Sequence, residues 1–212
     1  MTITFPRTDI MDAIGVVDTS FRLVHRQEAS RTAAGRTIVK DLGGPLWRAE
    51  MTTRPYRHSE AARIEAMFQS LDGAIGTFEA WDLRKCFTVH DPSGSLNTGA
   101  VAIAALGVDG RSLSLDGLPA GYVMTPGDYL SFDYGAGPSR ALHRIMEDAA
   151  ADAAGLTPVF EVRPHIRPGA SVNAAVRLEK PAAIMALEPD SFEASMSSVA
   201  TTVIRFSALQ VL

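Results

Sequence analysis

In the stretch VAIAALGVDGRSLSLDGLPAGYVMTPGDYLSFDYG, residues 101–135, glycine or proline cuts the chain every few positions. A helix needs roughly 10 uninterrupted residues before it is worth forming, whereas a strand needs only about 4 to 8. Proline also removes a backbone donor, and glycine supplies the left-handed conformation that tight turns require. Between two Asp-Gly pairs, Leu113 and Leu115 alternate with Ser112 and Ser114, the period of a strand with one buried face. A chain punctuated in this way builds many short antiparallel strands, which points to a sandwich or a small barrel.

The N-terminal third carries the same signal with one helix set into it. FRLVHRQEASR from Phe21, RTIVKD and LGGPLWRAEMTTRP read as strands. In the last of them Trp47, Ala49 and Met51 share one face, and Arg48, Glu50 and Thr52 the other. In HSEAARIEAMFQSLDG, Ile64, Met67, Phe68 and Leu71 recur at helical spacing, with Ser59 as the expected N-cap, Glu60 in the first turn and Gly73 at the end. TFEAW then reads as a strand, residues 82–99 as a loop, and AAVRLEKP and TTVIRFSALQV as later strands. The expected fold is mainly β (α+β), an antiparallel β-sandwich or small barrel with one prominent helix near residues 59–72. Its expected parts are an N-terminal strand-helix-strand unit over 1–82, a β-rich inserted subdomain over 83–180, and strands over 181–212 that return to the first unit.

Residues 140–154 are ambiguous. Alone, ALHRIMEDAAADAAG suits a helix, with Leu142, Ile145, Met146, Ala149 and Ala153 near one face and Gly155 as its cap. The flanks favour an antiparallel pair, Arg140 to Asp148 with Thr157 to Arg163, because turns precede it and Pro164 and Pro168 follow. On a strand, Leu142, Arg144 and Met146 face one way and His143, Ile145 and Glu147 the other.

Candidate chemistry is sparse. There is no HExxH, GxSxG, phosphate-binding loop or GxGxxG sequence. His143 and Glu147 lack a third member, and a surface or interface pair is the simpler reading. Cys86, His90 and Asp91 have no familiar metal-site spacing. His25 with Glu28, His58 with Glu60, and the isolated His165 make no set either. The glycines at 43–44 and 135–137 read as turns, not phosphate cradles, and Trp47, Phe78 and Trp81 as core, not a binding platform. No catalytic, cofactor-binding or metal-ligating residue is therefore assigned, and no cofactor. Seventeen arginines and three lysines are scattered among 24 acids, for a net charge of -4, which argues against sequence-specific nucleic acid binding. The single cysteine excludes an internal disulfide. No window suits a membrane span, and MTITFPRTDI lacks the character of a leader, so the expectation is a soluble protein made in the cytoplasm.

Two segments, LWRAEMTT…EAARIEAMFQSLDGAIGTFEAWD and GDYLSFDYG…RALHRIMEDAAADAAGLTPVFEVRPHIRPG, resemble recurring segments of the distal tail, or baseplate, proteins of siphophages. The resemblance implies strand and turn over 140–154. It also implies a structural role in the virion tail: a ring, expected to be a hexamer, joining the tail tube protein to the hub and host-attachment apparatus, assembled in the bacterial cytoplasm. Another tail ring such as a terminator, or an envelope-binding or hydrolytic tail-tip module, is the alternative.

Overall fold

The computed structural model describes residues 3–95, 101–135, 137 and 139–212. The end of the loop expected over 82–99 and part of the 135–137 turn lie outside them. Strand accounts for 44% and helix for 9%, so the chain is mainly β as its turn spacing implies. In chain order, the short helix α1 (Ile10–Ala13) precedes β1 (Val16–Val24), β2 (Gln27–Arg31), β3 (Thr37–Asp41), β4 (Leu46–Thr53) and β5 (Tyr56–Arg57). The longer helix α2 (His58–Gln69) leads to β6 (Thr77–Ala80), β7 (Ala102–Leu106), β8 (Ser112–Asp116), β9 (Val123–Met124) and β10 (Tyr129–Tyr134). Then come β11 (Ser139–Ile145), β12 (Ala149–Ala150), β13 (Phe160–Arg163), β14 (Val176–Arg177), β15 (Ala183–Leu187), β16 (Glu193–Ser198) and β17 (Thr201–Gln210).

The first sheet runs β1-β4-β17-β15-β6, with β5 and β16 also paired to β17. Strand β4, between β1 and β17, buries every second residue, Trp47, Ala49, Met51 and Thr53, as its alternation requires. Helix α2 covers this sheet: Ile64 and Phe68 on the helix and Leu71 just beyond it are buried, while Met67 is half-buried. Phe68 packs on Phe206 at 4.7 Å, Phe192 at 4.9 Å and Phe78 at 6.2 Å between ring centroids. Ser59 is not the cap. Arg57 holds the cap position without a side-chain bond, and the His58 ring instead ties the first turn to β17 through Thr202 Oγ1 at 2.8 Å and the Val199 carbonyl at 3.0 Å.

The second sheet runs β14-β10-β11-β13-β8-β7. It closes nearly into a barrel, because Ala102 on β7 bridges Ala175 beside β14. Ile103 donates to the Ala174 carbonyl at 3.0 Å and Val176 to that of Val101 at 2.8 Å. Residues 139–145 are strand, with no helix in the stretch that follows. Closure rewards the strand, since β11 pairs from Ser139 to Arg144 with β10 and at Arg144 and Ile145 with β13.

Strands β10 and β11 are the wall between two cores. Tyr129 and Leu142 point into the core of the first sheet, and Leu130, Phe132, Ala141 and Ile145 into that of the barrel. Trp47 links the two. Its indole Nε1 donates to the Leu142 carbonyl at 2.7 Å, its ring stacks on Phe21 at 5.5 Å, and Tyr129 meets it edge-on at 5.4 Å.

Candidate functional site

The residues that carry chemistry in the sequence do not converge. His143 is 1% exposed, stacked on Phe132 at 5.3 Å, and its Nδ1 donates to the Pro164 carbonyl at 2.8 Å. Burial pushes its pKa down to about 4, against the pull of that carbonyl and with help from Arg167. The ring is therefore neutral, with Nε2 lacking a hydrogen-bond partner. Glu147 lies past the end of β11, exposed, and accepts from the Glu161 amide at 2.7 Å. The expectation that the two share a strand face at the surface is thus corrected: the strand stops at Ile145, and His143 belongs to the interior.

Cys86, His90 and Asp91 also diverge. Asp91 is buried and accepts from the Ser95 amide at 3.0 Å to close its own turn. His90 is exposed against the edge of Tyr122. The half-buried Cys86 thiol lies 3.5 Å from the Leu83 carbonyl, and burial raises its pKa. Trp47, Phe78 and Trp81 are core, between 0% and 4% exposed. Among the described residues, no group of three or more His, Cys, Asp or Glu could hold a metal ion.

Two of the grooves among the described residues bear on these candidates. One, of about 480 Å3, lies over Arg140, Arg177 and Lys180. Its cations are already matched: Arg140 pairs with buried Glu79 and with Asp133 at 2.7 Å, Arg177 with Glu79 at 2.9 Å, and Lys180 with Asp12 at 2.6 Å. This cluster fastens β6 of the first sheet to the barrel rather than awaiting a ligand. The other groove, of about 570 Å3, brings His25 and His165 together beside Asp41, Arg163 and Arg167, a proximity that nothing in the linear sequence signals.

The most distinctive feature is the ribbon made by β2 and β3, two segments whose sequence is that of ordinary strands. The run from Phe21 breaks at His25 and Arg26, where the chain leaves the first sheet. Gln27↔Asp41 through Arg31↔Thr37 then pair only with each other. All five residues of β2 and all five of β3 are exposed. The ribbon is nonetheless well made. Thr32 and Arg36 close its tip with backbone and hydroxyl hydrogen bonds, Gly35 adopts φ +81° there, and Leu42 donates to the Arg26 carbonyl at 2.8 Å to close the base. An isolated two-stranded ribbon is marginally stable in water at best, and this one is exposed on both faces. The sequence matches no family model and no curated protein.

Proposed function

We propose that this chain is a structural component of a bacteriophage tail tip, a distal tail protein whose copies associate into a ring between tail tube and hub. The resemblance of residues 46–82 and 127–169 to that family gives the particular role. The observation that supports association is the β2–β3 arm, a paired ribbon exposed on both faces. The mechanism is assembly. Identical copies make head-to-tail contacts whose rotation closes, and closure removes the open strand edges on which uncontrolled pairing would begin. A hexamer is the stoichiometry that the family resemblance implies.

Labelling the protein in purified tails and imaging them by electron microscopy tests the reading, and density for a ring at the tail tip is expected. Absence of the protein from purified tails refutes it. A terminator would instead appear at the opposite end of the tube, and a hydrolytic tail-tip module would show envelope-degrading activity in the isolated protein.

A further inference from the structure

We infer that the β2–β3 arm of one copy docks on the acidic, partly apolar surface formed by residues 146–159 of the barrel of another copy. The inference rests on the proposed self-association and names its interface. Its first support is charge. The outer part of the arm, residues 29–40, carries Arg31, Arg36 and Lys40 and no acid, with Glu28 and Asp41 at its base, whereas residues 146–159 carry Glu147, Asp148 and Asp152 and no lysine or arginine. An arm that meets this surface therefore brings unlike charge together, while face-to-face contact of two barrels brings like charge together.

The second support is apolar matching. Val39, on the same face of the arm as Arg31, is 55% exposed, and Met146, Leu156 and Val159 on the barrel are 38%, 43% and 57% exposed. Neither side is covered within the chain, and both sit among charges of opposite sign. An apolar centre with a charged rim is the anatomy of a protein interface.

The third is rigidity. Five paired residues at about 3.3 Å each project the arm roughly 17 Å from its base. The receiving surface is fixed by its own bonds: the Met146 amide donates to the Glu161 carbonyl at 3.0 Å, and Asp152 Oδ1 accepts from the Ala154 and Leu156 amides at 2.8 and 3.0 Å. Both halves are thus ordered before they meet, which limits the entropy lost on docking.

The test is sedimentation velocity on the full chain from micromolar to millimolar concentration, with four proteins. These are the wild type, Arg31→Glu with Arg36→Glu, Glu147→Arg with Asp148→Arg, and the chain carrying all four changes. Asp152 is left alone because it closes its own turn; Glu147→Arg gives up one bond to the Glu161 amide, and thermal unfolding of each protein verifies that the folded state is kept. The wild type is expected to self-associate, less strongly as salt rises. Each pairwise reversal should weaken association roughly tenfold. The fourfold variant, and an equimolar mixture of the two pairwise variants, should recover it, since each restores unlike charge at the contact. A wild type that is monomeric at millimolar concentration, pairwise variants that associate as the wild type does, or a fourfold variant no better than the pairwise ones each overturns the inference. If the wild type associates but the reversals have no effect, only the arm contact falls. The tail-tip role is judged separately, by whether purified tails contain the protein.

Discussion

Replacing His143 by Gln should flatten the acid limb of the protein's stability curve. The ring is 1% exposed and holds its folded pKa at about 4 against an ordinary 6.5, chiefly because charging it inside the barrel forfeits its solvation. A base whose pKa is depressed on folding binds its proton more readily in the unfolded chain. Stability from this source is therefore complete above about pH 6.5 and is lost as pH falls from there to about 4. The loss is about 2 kcal/mol at pH 5 and roughly 3 kcal/mol at pH 4. Glutamine keeps a donor for the Pro164 carbonyl and does not titrate. Denaturant unfolding of both proteins at steps from pH 7.5 to 4 measures the difference, in which the carboxylates common to both cancel. Asp9 and Asp109, held below the usual range by the Arg7 side chain and the Arg111 amide respectively, are among those that drop out. The variant starts lower at pH 7.5, having lost the stack on Phe132, and the curves should converge or cross toward pH 4. Parallel curves over that interval would refute the reasoning and mean that the His143 ring is protonated without penalty in the folded chain.

Phe68→Ala should cost about 3 to 5 kcal/mol in denaturant unfolding, since it opens a hole among Phe78, Phe192 and Phe206; a loss under about 1 kcal/mol would mean that α2 is not packed as described. Glu79→Ala should cost about 3 kcal/mol by removing the buried carboxylate that Arg140 and Arg177 share, and Glu79→Leu combined with Arg140→Met should recover most of it; an unchanged midpoint for the single variant would show that the cluster does not hold the sheet to the barrel. Glu147→Ala should remove no hydrolytic activity from the purified protein, and an activity against cell-envelope polymers lost in this variant while folding is intact would overturn the structural role.

Local period was a sound guide wherever one face is wet. Trp47, Ala49 and Met51 on β4, and Ile64 and Phe68 on α2, were readable because polar neighbours mark the opposite face. The signal failed where both faces are dry or both are wet. Strand β15, AIMAL, is buried at four of its five positions and carries no alternation to separate it from the apolar run around it. The arm is exposed at every position, so its residues show no preference that distinguishes a free ribbon from a sheet. Strand β11 is the hardest case, because Ala141, His143 and Ile145 fill the barrel while Leu142 fills the other core, and a run apolar on both faces reads equally well as helix. What decides it is distant: the pairing partners on β10 and β13.

The same double burial explains why the parts of this chain act on one another. Tyr129, on the β10 side of the wall, accepts from Arg144 and donates to Asp82 Oδ2 at 3.3 Å, and burial among these groups lifts its pKa to about 12. Asp82 in turn accepts from Arg84 Nε at 2.9 Å, and the neighbouring Lys85 ammonium lies 3.6 Å from buried Asp128. The segment that leaves the first sheet is thus pinned to the wall at the point where the barrel begins. The barrel therefore cannot turn relative to the first sheet without exposing Trp47 and Tyr129 and breaking charged contacts that low-dielectric surroundings make costly to leave unpaired. An arm rooted in the first sheet and an acidic face carried by the barrel are held by this wall at a set separation and angle. In the proposed ring, a fixed angle between the two halves of the head-to-tail contact would let repeated copies close instead of growing without end.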